Sequence, residues 1–437
     1  MKSFKIVTLG CKANSFESDS ISMQLEEKGF SKASENADIV IINTCTVTSK
    51  AGMQSRQEIR KAIKKNPDAK IIVTGCHAQV AADEIKNISQ EIKIVYQDKK
   101  SIIPEIISCE DQRIFFPNQS SFKNKIRDQK QFTFMPSGNF NNKTRAFLKI
   151  QDGCNAFCSY CIIPYTRGRS RSMEFNDVIE ELKKLKNNKY KEVVLTGIHI
   201  GCYGKDLDKK RSFTELLKFI SKRQNEFPRL RISSIEPCEI TDEIIEIASD
   251  NSILCPHFHI PFQSGDDKIL KDMNRPYNGK FIYELTNKLY KKIKNVCLGG
   301  DIIIGFPGED EMKYQNSFNM MKDIPVTYLH VFPFSQRKNT PAAHFEKKVD
   351  GKIIKQRTSA MRNLSMEKKE LFYNSQSGRT LEVVIEKDRD KQNCLLKGFS
   401  ENYIQCFIDG DDNLKNKIIK VKTFYNKSEK IMKGSVI

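Results

Sequence analysis

The chain has 437 residues, 39% hydrophobic and 29% charged, with 73 lysines and arginines against 54 acidic residues and a formal net charge of +19. That length exceeds one ordinary domain, and no apolar run approaches the roughly 20 residues that cross a bilayer. A membrane-embedded protein and a small disulfide-stapled domain are both set aside, and the positive balance makes nucleic acid the leading large partner, ahead of an anionic membrane surface. Met1 to Phe4 lead straight into a strand-like stretch, so a cytoplasmic location without a membrane partner is expected, as a monomer. The 13 cysteines, an odd number, argue for metal ligation plus buried bystanders.

Residues 1–115 alternate short apolar runs with amphipathic stretches such as Ser55 to Lys65, the pattern of a parallel α/β domain. Strands are predicted at Phe4 to Leu9, Asp38 to Ile42 and Lys70 to Val73, each followed closely by a cysteine: Cys11, Cys45 and Cys76. Residues 116–143 read as a basic linker, rich in Asn, Ser and Lys, within a stretch that sets Arg113, Lys123, Lys125, Arg127, Lys130 and Lys143 against Asp128. From 144 to 372, strands alternate with helical stretches: Phe147 to Ile150, Glu192 to Leu195, Leu230 to Ser233, Phe258 to Ile260, Gly300 to Ile304 and Tyr328 to Phe332. Six such units make a partial (β/α)6 barrel, with a charged amphipathic helix from Lys352 to Tyr373 at its end. Residues 373–437 hold β-rich runs at Leu381 to Glu386, Tyr403 to Ile408 and Ile418 to Thr423, a small β-barrel.

In Cys154-x-x-x-Cys158-x-x-Cys161, three thiolates follow the first barrel strand in a loop that holds Gly153 and is bounded by Pro164. The spacing lets them curl around one metal centre. Zinc ordinarily takes a fourth protein ligand, and the loop has neither a fourth cysteine nor a histidine. A four-iron cluster with one open iron fits better, with a zinc knuckle or three buried cysteines as the alternatives. An open iron can chelate the amino and carboxylate groups of S-adenosylmethionine. Cys11, Cys45 and Cys76 each follow the carboxyl end of a parallel strand, and such loops converge on one sheet edge. One such cysteine alone reads as core; three at equivalent positions can hold a second cluster, again one ligand short.

The segment from Gln151 to Arg171 resembles the radical S-adenosylmethionine (SAM) loop of the methylthiotransferases. The likeness continues through Leu195-Thr196-Gly197-Ile198-His199, Ser233-Ser234-Ile235-Glu236-Pro237, His259 to Gly265, Met273-Asn274-Arg275-Pro276-Tyr277 and Asp301 to Glu309. The resemblance implies an enzyme with SAM and two four-iron, four-sulfur (4Fe-4S) clusters as cofactors. Cys154, Cys158 and Cys161 would hold the cluster that cleaves SAM reductively, and Cys11, Cys45 and Cys76 an auxiliary one that supplies or carries sulfur. The product would be a methylthio group on carbon 2 of a modified adenosine at position 37 of tRNA, with an external electron donor and a sulfur source as further partners. Leu9 to Asn14 and Asn43 to Thr48 are similar to the branch acting on N6-threonylcarbamoyladenosine, with Lys12 and Thr48 carrying the distinction. Isopentenyladenosine is the alternative substrate, and a non-catalytic iron-sulfur RNA-binding protein the alternative class. The C-terminal module resembles the TRAM domain, a β-barrel that grips RNA.

Thr196, Gly197, Ser234, Glu236 and Gln263 fall at barrel strand ends, where cosubstrate contacts are expected, and Tyr160 is expected to shield the cluster or pack on adenine. Arg167, Arg169 and Arg171 are candidates to pair with the threonine carboxylate. His199, His257, His259 and His330 read as satisfied core or surface residues, and Cys202 and Cys238 as incidental thiols. In the C-terminal module Lys387, Arg389, Lys391, Lys415, Lys417, Lys420 and Lys422 are expected to meet phosphates, with Phe399, Tyr403 and Phe424 as stacking faces.

Overall fold

The computed structural model describes residues 2–109, 126, 128–138, 144–209, 211–250 and 253–437. Most of the expected basic linker, including Arg113, Lys123, Lys125, Arg127 and Lys143, lies outside the described residues.

Ile39 to Ile42 is apolar at successive positions, as a strand covered on both faces must be. It lies in β3 (Ile39–Thr44), buried along its whole length at the centre of a parallel sheet. The sheet order is β2 (Ser31–Lys32), β1 (Ser3–Thr8), β3, β4 (Lys70–Gly75) and β5 (Lys93–Ile94). Helix α1 (Lys12–Glu27) covers one face with Phe16, Ile21 and Leu25, and α2 (Ser49–Lys65) the other with Ile59 and Ala62. The second helix starts before the amphipathic stretch because Thr48 caps it, its hydroxyl accepting from Ala51 N at 3.1 Å. Helix α3 (Cys76–Val80) follows β4 without a gap.

The barrel strands are β6 (Arg145–Lys149), β9 (Glu192–Thr196), β10 (Arg229–Ile232), β11 (His257–Gln263), β12 (Cys297–Ile304) and β13 (Tyr328–Pro333). They run parallel in chain order as two ladders, joined where Leu230 bridges Leu254 and Ser234 bridges His259. A short antiparallel pair, β7 (Gln151–Asp152) and β8 (Arg171–Ser172), closes the loop that carries Cys154, Cys158 and Cys161. Strands β6 and β13 do not pair with each other, so the barrel is open on one side, and the N-terminal domain covers that side. Helix α1 packs along β6. Beyond β13, Arg337 Nη2 donates to Thr46 Oγ1 at 2.5 Å and Ser335 Oγ accepts from Ser49 N at 2.9 Å.

The C-terminal strands β14 (Thr380–Ile385), β15 (Leu396–Ser400), β16 (Gln405–Ile408), β17 (Ile418–Asn426) and β18 (Ile431–Val436) form a closed barrel, following the helix Gly351–Ser375. Two of its strands, β15 and β18, are missing from the sequence expectation, because Gly398 and Gly434 interrupt their apolar pattern. Closure requires the first glycine: a Cβ on Gly398 would stand 2.4 Å from Val384 O.

This module docks beneath the larger barrel. Arg231 donates to Glu401 O and Ser400 O, each at 3.0 Å, and Arg229 donates to Glu382 O at 3.3 Å. Tyr403 stacks on His257 at 4.3 Å between centroids, and the Arg145 guanidinium lies 4.2 Å over Phe399. Phe399 and Tyr403 therefore pack in the seam between domains and are not the outward stacking faces expected of them. No helix among the described residues is long and apolar enough to cross a membrane.

Candidate active site

The loop after β6 is folded by glycine and by backbone bonds. Gly153 has φ +70°, and a Cβ there would meet Arg169 O at 1.9 Å, so no other residue fits. Cys154 N donates to Gly168 O at 3.0 Å and Cys161 N to Cys158 O at 2.9 Å. Arg275 Nη1 donates to Cys158 Sγ at 3.1 Å, and its Nη2 pairs with Glu236 at the end of β10. His199 Nδ1 stands 3.4 Å from Cys154 Sγ, while its Nε2 faces Glu239 Oε1 at 2.9 Å. Burial, and then the neighbouring Cys158, push the Cys161 thiol up to about 12, and burial raises Cys158 against the pull of Arg275. Protons on such thiols are what a bound metal displaces.

The second trio comes from three strand ends. Cys11 precedes α1, Cys45 follows β3 and Cys76 opens α3. Gly10 and Gly75, both at positive φ, bring the loops together: a Cβ on Gly10 would stand 2.8 Å from Cys45 Sγ, and one on Gly75 2.4 Å from Thr44 O. Ser55 Oγ accepts from Cys45 N at 3.1 Å and donates to Cys45 O at 2.8 Å. Burial, then Cys76, push the Cys45 thiol up to about 11.

The spacing of both trios bears on what they can hold. Among the described residues, three ligand atoms lie within 4.8 Å of one another at His199–Cys202–Glu239 and at His259–Asp301–His330, and in neither cysteine trio. Thiolates around a single zinc stand about 3.8 Å apart. Neither trio is closed around a single ion, and three thiolates without a fourth protein ligand are a donor set that fits a 4Fe-4S cluster with one open iron.

A buried ion network joins them. Glu17 accepts from Lys100 Nζ at 2.7 Å, Lys149 Nζ at 2.8 Å and Arg167 Nη1 at 2.9 Å. Arg167 also donates to Asp152 at 2.9 Å and to Asn14 Oδ1 at 2.6 Å, with its side chain 1% exposed. Arg171 Nη2 is held by Arg167 O at 2.9 Å. Arg167 and Arg171 are thus committed to the fold and not free to meet a substrate carboxylate as expected; Arg169 is exposed. Burial alone would raise Glu17, but Arg167, Lys100 and Lys149 outweigh it and hold the carboxyl well below the usual range. Arg167 lies within electrostatic reach of Cys11, Cys45 and Cys76.

The strand-end residues divide. Ser234 is exposed at the end of β10, Glu236 is tied to Arg275, and Gln263 ends β11 at φ +66°. Thr196 Oγ1 bonds within its own strand, to Val194 O at 3.2 Å, and Gly197 makes room for Gln151, whose Oε1 accepts from His199 N at 2.7 Å. Tyr160 packs with Ile269, Met273, Phe306 and Ala342. Sequence assigns no role to Arg275 or His199, because neither residue's contact to a cysteine sulfur can be read from spacing.

The histidines also gather. His259 Nε2 faces Asp301 Oδ1 at 2.8 Å, His330 Nδ1 faces the same oxygen at 3.3 Å, and Tyr328 OH lies 2.9 Å from His257 Nε2. These residues line the lumen above Tyr403. Lys12, half-buried, lies within electrostatic reach of Arg145, Arg231, Asp301 and Cys11; burial and then Arg145 push its ammonium down to about 8.

Residues 3–97 match the family described as "Uncharacterized protein family UPF0004", and residues 148–321 match the Radical SAM superfamily. The chain is 38% identical over 95% of its length, and 92% of the relative's, to the threonylcarbamoyladenosine tRNA methylthiotransferase MtaB of Bacillus subtilis. It is 33% identical to the protein of the same name in Aquifex aeolicus, over 95% of this chain and 98% of that one. It is also 34% identical to a tRNA-2-methylthio-N(6)-dimethylallyladenosine synthase of Clostridium botulinum, over 98% of this chain and 97% of that one. Among solved structures, the radical S-adenosylmethionine methyltransferase TsrM of Kitasatospora setae shares the fold, with a TM-score of 0.55 at 14% identity over 78% of this chain and 76% of that one. The chain belongs to the radical SAM methylthiotransferases, sulfur-inserting enzymes whose cofactors are S-adenosylmethionine and two 4Fe-4S clusters.

Proposed function

We propose that this enzyme adds a methylthio group to carbon 2 of N6-threonylcarbamoyladenosine at position 37 of tRNA, with Cys154, Cys158 and Cys161 as ligands of the SAM-cleaving cluster and Cys11, Cys45 and Cys76 as ligands of the auxiliary one. The observation that carries the reading is that two three-cysteine edges, neither closed around a single ion, are coupled through the buried Glu17–Arg167 network. Cys154, Cys158 and Cys161 would hold a cluster that supplies an electron for reductive cleavage of SAM, and Cys11, Cys45 and Cys76 one that would supply or carry the sulfur. Arg275 holds the Cys158 sulfur and fixes Glu236, which with Ser234 and Gln263 offers polar contacts to the cosubstrate at the strand ends. The Glu17–Arg167 network holds α1, and with it Cys11, at a set distance from the loop of Cys154.

The domain extents in this reading are 1–115 for sulfur insertion, 116–143 for a linker, 144–372 for radical chemistry and 373–437 for RNA. In the last, Lys420, Lys422 and Phe424 share the outward face of β17. Lys433, opposite Phe424 in register on the neighbouring strand and drawn onto Glu429 at 3.0 Å, extends a basic stripe with an aromatic face. Arg389 and Lys415 are drawn onto Asp412, each at 2.8 Å, and contribute less. A reductant and a sulfur donor come from outside the chain, and the enzyme works in the cytoplasm, where tRNA is.

The test uses reconstituted enzyme with tRNA bearing either modified adenosine. Cys158→Ala should abolish 5′-deoxyadenosine formation, whereas Cys45→Ala should retain uncoupled cleavage and form no methylthio product. Full methylthiolation by both variants contradicts the two-cluster assignment.

A further inference from the structure

The substituent on N6-threonylcarbamoyladenosine carries a carboxylate, and a carboxylate that leaves water for a barrel lumen needs a cation in hydrogen-bonding range. Most cations around the lumen are already engaged. Arg229 and Arg231 both hold Glu192, at 2.7 and 2.9 Å. Arg145 lies over Phe399 and reaches Glu386 at 3.4 Å, Arg275 serves Cys158 and Glu236, and Arg167 and Lys149 serve Glu17.

Lys12 differs from all of these. Among the described residues no carboxylate oxygen lies within ion-pair distance of its ammonium, and no hydrogen bond from it is formed to a described residue. Lys12 is half-buried at the start of α1, the helix that packs along β6 at the open flank of the barrel, and the charges within its electrostatic reach lie on β6 (Arg145), β10 (Arg231) and β12 (Asp301). Asp301 does not pair with it; its Oδ1 is turned on His259 and His330. Local structure gives no reason for a cation there. Lys12 opens α1, where the helix dipole disfavours positive charge, and the first turn has no acidic residue to offset it. A cation held against a helix dipole and two arginines is one that an incoming anion relieves.

Resting on the substrate reading above, we propose that Lys12 binds the carboxylate of the N6 substituent and sets the enzyme's preference for an acidic side arm. Its neighbour in sequence is Cys11, so the residue that recognises the arm and a residue that holds the sulfur-bearing centre move as one. In adenine, carbon 2 and the N6-bearing carbon are separated by a single ring nitrogen. A base with carbon 2 turned toward the trios therefore carries its N6 arm within a side-chain length of them.

The experiment compares the reconstituted enzyme on tRNA bearing N6-threonylcarbamoyladenosine and on the same tRNA with the threonine carboxylate converted to the carboxamide. Wild type should favour the carboxylate about 10- to 100-fold in kcat/KM, chiefly through KM. Lys12→Gln should lose that factor on the carboxylate and little on the carboxamide, so that the preference falls toward unity, and Lys12→Arg should keep it. Iron content equal to wild type, and affinity for the carboxamide tRNA equal to wild type, establish that the variants are folded. Equal wild-type rates on the two substrates, which need no variant, overturn the proposal, as does a Lys12→Gln enzyme that keeps the preference; either leaves the substrate reading standing. A wild-type enzyme that acts on isopentenyladenosine and not on either of these overturns the substrate reading itself, and the proposal with it.

Discussion

At the scale of single residues, the chemistry depends on how each sulfur is held. Arg275 is the contact with the widest reach, because one guanidinium binds Cys158, Glu236 and Tyr277 Oη, the last at 2.8 Å. Residues that orient a metal ligand typically contribute 10- to 100-fold to affinity or activity. Arg275→Ala should therefore lower iron retention or 5′-deoxyadenosine formation by about that factor, with Arg275→Lys intermediate because a point charge cannot serve three partners. Iron content and cleavage rate of the two variants check this. The cysteines were legible because spacing and strand-end position repeat; Arg275 and His199 were not, because their partners are over a hundred residues and 45 residues away. Arg167 and Arg171 sit in a motif rich in charge, and sequence does not reveal that Arg167 meets Glu17, on another domain, or that Arg171 is turned onto the backbone oxygen of Arg167.

At the scale of elements, α1 packs along β6 and is tied by charge to Arg167, the last residue of the helix Ile163–Arg167, which itself packs on α3. Glu17→Gln leaves Lys100, Lys149 and Arg167 buried around a neutral amide, and breaking such a cluster costs about 3–5 kcal/mol. The first unfolding transition should drop accordingly in thermal melts. Glu17, and Glu192 between Arg229 and Arg231, are both held below their ordinary value of 4.5. The stability they contribute is complete above that pH and is lost as the solution becomes more acidic and they are protonated in the folded chain. Melts taken down the acid limb should therefore show falling stability below about pH 4.5, with a shallower fall in Glu17→Gln. Most strands were legible from apolar runs, since β3, β9, β10 and β11 are buried along their whole length. Strands β15 and β18 were not, since glycine, the residue that lets a small barrel close, is also the residue that hides a strand.

At the scale of the whole molecule, three modules surround one lumen: the N-terminal sheet closes its open flank, and the C-terminal barrel closes its floor through Tyr403 and Phe399. The seam explains why two aromatics that look suited to RNA are turned inward, and leaves Phe424, 46% exposed, on the basic stripe. Replacing Lys420, Lys422 and Lys433 together by Ala should weaken tRNA binding and reduce the slope of log K against log salt by about 2 to 3, if each meets one phosphate. An unchanged slope places the RNA face elsewhere.

The central claim is that this chain thiolates carbon 2 of N6-threonylcarbamoyladenosine, and nucleoside mass spectrometry of tRNA from cells with and without the protein tests it most directly. Loss of the 2-methylthio form, with the unthiolated N6-threonylcarbamoyladenosine accumulating in its place, is the predicted result. An unchanged 2-methylthio-N6-threonylcarbamoyladenosine level, or a loss confined to the isopentenyl nucleoside, contradicts it.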